Sequence, residues 1–209
     1  LFLALKGERF NGEDFAADAV AAGAAGVLLS DACPSEKYAG IEGADVLLVP
    51  DTLAAYQQLA HAWRERFTLP VVAITGSNGK TTTKDLTAAV LSARGPVLKT
   101  QANFNNEIGL PLTLLGLRKK HTAAVVEIGM RGFHQIEALA PVADPSIGIV
   151  TNVGETHMEL LGSLENIAKA KAELVEAIGA GGTVILNADN AYVAAMREKA
   201  RAGVRVLTF

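Results

Sequence analysis

Cysteine is almost missing from this sequence: Cys33 stands alone, so no internal disulfide can form, and a reducing compartment, the cytoplasm, is expected. Basic clusters are scarce too. Apart from Arg118, Lys119 and Lys120, no group of Lys and Arg offsets the net charge of −3, which argues against nucleic acid as a partner. No positively charged start leads into an apolar run, so no secretion signal is expected from these residues. The uncharged apolar stretch over residues 19–30 is too short to cross a bilayer and holds Gly23 and Gly26, which read as a helix end and a turn. There is no internal repeat and no low-complexity segment. A starting Met is also lacking. The chain opens on Leu1-Phe2-Leu3-Ala4-Leu5, which has the look of a strand interior, so a fragment is expected.

What is present suffices for a full-sized core, because 50% of the 209 residues are hydrophobic. The pattern predicts a small α/β unit first: a strand over 1–5, a helix over 14–22, strands over 27–30 and 46–49, and a helix from the N-cap Asp51 to Phe67. Thr68-Leu69-Pro70 then punctuates the chain, which places a domain boundary between 68 and 69. Strands follow at 71–75, 122–127, 146–151, 183–187 and 204–207. They alternate with helices at 80–93, 133–140, 164–178 and 190–200. Such alternation predicts an α/β fold, in which a mostly parallel sheet carries helices on both faces.

The stretch AITGSNGKTTTKD, residues 73–85, is a strand-to-helix turn. It follows a β-branched run and leads into Leu86, Ala89, Val90 and Ala93 at helical spacing. Such a turn leaves unpaired N–H groups at the positive end of a helix dipole, which suits an anion. Lys80 can reach outer phosphates, and a hydroxyl from Thr81 or Thr82 can ligate the accompanying magnesium. The spacing departs from the common phosphate loop, because two residues rather than four separate Gly76 from Gly79 and Ile74 stands where the first glycine is usual.

Ligands in open parallel sheets sit beyond the carboxyl ends of the strands. The second strand of the series ends in Glu127, and the third runs into Asn152 and then His157. A carboxylate and an imidazole at that edge could serve a divalent cation. In the helix over 164–178, Lys171 falls in the middle of an apolar stripe formed by Leu164, Ile167, Ala168, Leu174, Val175 and Ile178. A lysine there must be snorkelling, paired or chemically altered. Asn103, Asn105 and Asn106 supply uncharged donors and acceptors, and the following Gly-Leu-Pro-Leu reads as a turn before an apolar helix-like segment.

Taken in order, LFLALKGERFNGEDF, TGSNGKTTTKD, NFNNEIGLPLTLL, EIGMRG, TNVGETHMELLGSLENIAKAKAEL and LNADN resemble the Mur ligases, the ATP-dependent amide-forming enzymes of cell-wall precursor synthesis. The series is most similar to the member that joins D-alanyl-D-alanine to UDP-N-acetylmuramoyl-tripeptide. The resemblance implies that Gly76, Ser77, Asn78, Gly79, Lys80, Thr81 and Thr82 hold ATP, with Lys80 on the outer phosphates and Thr81 on magnesium. It implies Glu127 as a magnesium ligand and His157 near a second magnesium. Lys171 would be a carbamate supporting that second ion, and Asn105 with Asn106 would bind substrate. Lys80, His157 and Lys171 form the implied catalytic set. Residues 1–68 would be most of a UDP-sugar-binding domain and 69–209 most of a central ATP-binding domain, in a monomer with neither nucleic acid nor a membrane span.

The chain departs from the family pattern at Asn11 and Glu13, at Ala102 where a glycine precedes the asparagines, and at His134 and Gln135 where Gly-Glu is usual. The family's C-terminal domain is not in the chain, so weak nucleotide binding and poor turnover are expected of it alone. Other readings are another amide ligase, of the Mur type or the folylpolyglutamate type, a silent nucleotide-binding module, and a GTPase switch. The last needs an Asn-Lys-x-Asp base reader, and residues 187–190 lack the lysine.

Overall fold

The computed structural model describes residues 1–7, 9–156 and 158–209. They fall into two compact units, Leu1–Leu59 and Ala60–Phe209. In the first, β1 (Phe2–Leu3), β2 (Gly26–Ser30) and β3 (Asp45–Val49) form a parallel sheet in that order, with α1 (Ala16–Ala21) between β1 and β2. Its core is Ala4, Ala16, Val27, Leu29 and Cys33. The helix expected over 14–22 is split, because Asn11 Oδ1 accepts from Glu13 N at 3.2 Å and caps a 3-10 turn over Gly12–Phe15.

Helix α2 (Thr52–Glu65) begins at Asp51, whose Oδ1 accepts from Leu53 N at 2.8 Å and Ala54 N at 2.9 Å. The division between units lies inside this helix, before the punctuation at 68–70. Its second half is anchored in the larger unit: Trp63 Nε1 donates to Leu117 O at 3.2 Å and Arg64 Nε to Ala143 O at 2.9 Å. Punctuation marks where a helix stops, not where its packing partners change.

In the larger unit the elements run β4 (Val71–Thr75), α3 (Lys80–Leu91), β5 (Val97–Lys99), α4 (Gly109–Leu115), β6 (Ala123–Glu127), α5 (Gln135–Ala143) and β7 (Ile147–Val150). They continue with α6 (Met158–Leu161), α7 (Leu164–Ala177), β8 (Thr183–Leu186), α8 (Ala191–Ala195) and β9 (Arg205–Thr208). All six strands are parallel, in the order β5-β6-β4-β7-β8-β9. Because successive side chains on a strand point to opposite faces, β4 serves two layers. Val71 and Ala73 face the core that also holds Leu110, Ile136, Ile167 and Leu174, while Val72 and Ile74 pack with Ala88 of α3. Having built one side of β4, the chain crosses to β7 on the other. That reversal of strand order opens a crevice at the carboxyl end of β4.

Several elements differ from expectation. The three-residue edge strand β5 is too short to show a period. The expected helix over 190–200 is α8 followed by a 3-10 turn over Met196–Lys199. Gly-Leu-Pro-Leu is the start of α4 itself, where Pro111 lies in the first turn and its missing N–H leaves no helix bond unmade. On α3 the apolar residues at helical spacing point outward: Leu86 is 64% and Val90 73% exposed. The buried positions are Lys84 and Ala88. No helix among the described residues is long and apolar enough to cross a membrane.

Candidate active site

The turn between β4 and α3 is stitched to the loop after β7. Ser77 N donates to Asn152 O at 3.0 Å, Asn78 N to Asn152 Oδ1 at 2.8 Å, and Thr151 Oγ1 to Asn78 O at 2.6 Å. Ser77 Oγ donates to Gly154 O at 3.1 Å and accepts from Gly154 N at 2.9 Å. Gly76, at φ 150, must lack a β-carbon, since one would run into the Thr151 hydroxyl. With Ser77 and Asn78 tied down, the N–H groups of Gly76 and Gly79 in the turn and of Lys80, Thr81 and Thr82 in the first turn of α3 have no acceptor among the described residues. Lys80 Nζ donates to Gly76 O at 2.7 Å and Ser77 O at 3.3 Å, folding back over the turn. Burial pushes its pKa down while Glu127 pulls it up.

Glu127, at the end of β6 beside Ile74 of β4, is 2% exposed. Its backbone N donates to the buried Thr100 hydroxyl at 3.0 Å. Lys84 Nζ lies 3.4 Å from Glu127 Oε1, yet that oxygen has no hydrogen-bond partner, so the contact is an ion pair without hydrogen-bond geometry. Lys84, 4% exposed, also lies 3.6 Å from the Asp85 carboxylate.

Lys171 is 2% exposed, as its place in the apolar stripe of α7 predicts. It has no hydrogen bond or ion pair among the described residues. Burial, with a smaller contribution from Lys80, lowers its pKa to about 7. A cavity of about 440 Å³ joins Gly76 and Lys80 to Lys171, to Asn103, Asn105, Asn106 and Glu107, and to Gly129, Met130, Arg131, Gln135 and Leu139. Gly129 N donates to Asn105 O at 2.8 Å, and a β-carbon on Gly129 would crowd the Asn105 amide at 2.9 Å. Asn106 Oδ1 accepts from Gly109 N at 2.9 Å at the start of α4, leaving its amide nitrogen uncommitted. The loop from β6 to α5 is clamped from α7, whose Glu173 accepts from His134 N at 2.7 Å and Glu137 N at 3.0 Å.

The chain has counterparts among known proteins. Residues 74–209 match the family described as Mur ligase middle domain, and residues 1–64 match Mur ligase family, catalytic domain. The chain belongs to the Mur ligase family. It is 53% identical over 193 residues to the UDP-N-acetylmuramoyl-tripeptide--D-alanyl-D-alanine ligase of Synechocystis, with 92% of this chain and 42% of that protein covered. A crystal structure of MurF from Acinetobacter baumannii matches with a TM-score of 0.90 and 35% identity, over 100% of this chain and 44% of that one. MurF ligase from Thermotoga maritima in complex with ADP matches at 0.85 and 29%, over 99% and 46%. The chain thus spans about two fifths of the length of the curated relative and somewhat more of the solved ones.

Within this Mur ligase chain, Gly76, Lys80, Asn105, Asn106 and Lys171 line one cavity. Thr81 and Thr82 stand exposed in the first turn of α3, and Glu127 is buried at the neighbouring strand end. His157 lies outside the described residues. Among the described residues, no three of His, Cys, Asp and Glu gather as a ready-made metal cage. Even so, the donor set fits magnesium, a hard ion bound by few protein ligands: Glu127 offers a buried oxygen free of hydrogen bonds and Thr81 a hydroxyl at the phosphate turn. A carbamate also suits Lys171, whose buried amine has no described anion to pair with.

Two residues escaped the sequence reading. Lys84 follows Lys80 by one helical turn, a spacing that was open to inspection. Arg131 stands in the segment EIGMRG that carries the resemblance, but was given no role of its own.

Proposed function

We propose that the protein is an ATP-dependent ligase of peptidoglycan precursor synthesis, joining D-alanyl-D-alanine to UDP-N-acetylmuramoyl-tripeptide. In this reading Ala60–Phe209 binds ATP and activates the tripeptide carboxylate, and Leu1–Leu59 belongs to the part that holds the UDP-sugar. The observation that carries it is the single cavity uniting the phosphate-turn residues Gly76 and Lys80 with Lys171 and the asparagine loop.

The reaction has two displacements. An oxygen of the tripeptide carboxylate attacks the γ-phosphorus, its bond to the β,γ-bridging oxygen breaks, and ADP leaves. The dipeptide amine then adds to the acyl carbon, loses a proton and expels phosphate. Both steps load negative charge on phosphoryl or tetrahedral oxygens. The Lys80 ammonium and the free N–H groups of Lys80, Thr81 and Thr82 offset that charge from fixed positions. Asn105 and Asn106 bind beside the muramoyl substrate and the terminal phosphate through their amides.

Thr81 and Glu127 would hold one magnesium, and His157 with carbamylated Lys171 a second. Bound there, magnesium supplies positive charge to the γ-phosphate oxygens. With its pKa near 7, the Lys171 amine is neutral often enough to add to carbon dioxide, releasing one proton as the carbamate forms. Lys171→Ala should cost turnover that short carboxylates partly restore; loss without rescue would leave the carbamate unsupported.

The deciding assay measures phosphate release by the full-length protein with ATP, UDP-N-acetylmuramoyl-tripeptide and candidate amines in turn. Release should require the tripeptide and be greatest with D-alanyl-D-alanine. Release that ignores the tripeptide would overturn the reading.

A further inference from the structure

Of the three basic residues lining the cavity, Lys80, Arg131 and Lys171, the chemistry above gives Arg131 no task. Its guanidinium makes no hydrogen bond or ion pair among the described residues. Its root, by contrast, is fixed. Gln135 Oε1 accepts from Arg131 N at 2.6 Å, and Glu173 of α7 pins the next turn through His134 N and Glu137 N. Arg131 is thus an exposed, unpaired cation that lines the cavity from a loop whose backbone is clamped.

The neighbour that clamps it adds a second clue. Gln135 lines the same cavity and serves as an acceptor without carrying charge. A glutamate there could accept the same N–H bond, but would also bring a negative charge close to the guanidinium. Lys80, folded over the phosphate turn, answers to the nucleotide's outer phosphate. The remaining anion of the reaction is a carboxylate, whose two coplanar oxygens match the planar fork of a guanidinium better than any single-point donor.

We propose that Arg131 binds the reacting carboxylate of the acyl substrate and holds it for attack on the γ-phosphate. This rests on the ligase reading. Arg131 forms no bond in the reaction; it fixes the two oxygens so that one lone pair can reach phosphorus, and it stays beside the acyl group as the acyl phosphate forms.

The test is calorimetric titration of the full-length protein, holding a non-hydrolysable ATP analogue, with two ligands. One is UDP-N-acetylmuramoyl-tripeptide and the other is the same molecule with its reacting carboxylate converted to a carboxamide. Arg131→Ala should weaken the carboxylate ligand by about ten- to a hundredfold, as loss of a charged hydrogen-bonding partner does, while barely changing the carboxamide. Arg131→Lys should recover part of the loss, and Gln135→Glu should weaken the carboxylate ligand by engaging the guanidinium. Affinity for the ATP analogue should hold throughout. Equal losses for both ligands would mark Arg131 as merely structural, and no loss for either would remove it from the site; both overturn the proposal. Wild-type protein that binds neither ligand would sink the ligase reading with it, whereas binding independent of Arg131 sinks this inference alone.

Discussion

Lys84 Nζ sits 3.4 Å from Glu127 Oε1, and both side chains are almost wholly withdrawn from water. A lysine on a helix and a glutamate on a strand thus share a buried charge pair directly behind the phosphate turn. The pair is loosely made, because the glutamate oxygen keeps its lone pairs free of hydrogen bonds. Breaking one partner strands the other. Lys84→Met should therefore destabilise the protein by about 3–5 kcal/mol, and Lys84→Met with Glu127→Leu by clearly less. Urea midpoints for the three proteins check this, and equal losses in both variants would show that the pair is not coupled.

Lys80 is the cation closest to the turn's carbonyls and the one placed to follow charge onto the γ-phosphate oxygens. Lys80→Ala in the full-length protein should lower the phosphate-release rate by about a hundred- to a thousandfold, the usual effect of removing one preorganised donor. Thermal stability should change little, because the turn is also held by Ser77 and Asn78 through separate bonds to residues 151–154. A near-normal rate would remove the phosphate-loop assignment.

Burial, helped by Lys80, holds Lys171 near pKa 7 against 10.5 for a free lysine. Between about 7 and 10.5 the unfolded chain carries a proton that the folded protein has shed, so this residue makes stability rise with pH across that window. The burden is greatest below the folded value and gone above the unfolded one. Lys171→Met should accordingly be more stable than wild type near neutral pH, by a few kcal/mol at most, with the gap closing toward the alkaline end. Denaturation curves in buffers free of carbon dioxide would show it; a pH-independent gap would mean that Lys171 is not desolvated.

Ala102 adopts φ 45, a left-handed conformation in which a β-carbon crowds the following carbonyl. Ala102→Gly relieves roughly 1–2 kcal/mol of that strain and gives back about 0.4–1 kcal/mol through the looser unfolded chain. The net expectation is a gain of about 0.5–1 kcal/mol, seen as a higher denaturant midpoint with an unchanged slope. A loss would show that the methyl group is used in packing.

The class of fold was legible because strands and helices alternate at lengths that only a parallel sheet accommodates. Lys171 was legible because helical period alone puts it among Ile167, Leu174 and Ile178. What failed was the inward face of α3. Hydrophobicity favoured Leu86 and Val90, but the face was chosen by Glu127, a charge contributed by a strand distant in sequence that keeps Lys84 inside. The same long-range dependence hid the ties from Ser77 and Asn78 to residues 152–154, which take these two out of the set of free phosphate donors. Conversely, the departure at Ala102 proved readable in physical terms: a glycine is usual there because the backbone is left-handed.

Ser77 and Gly154 grip each other from both directions, and Thr151 and Asn152 add further stitches. A seat already sewn into shape has little freedom left to surrender when a triphosphate arrives, so its contacts go into retention rather than ordering. By the same token, warming that first slackens residues 151–154 would blunt nucleotide capture while the sheet beneath is still intact.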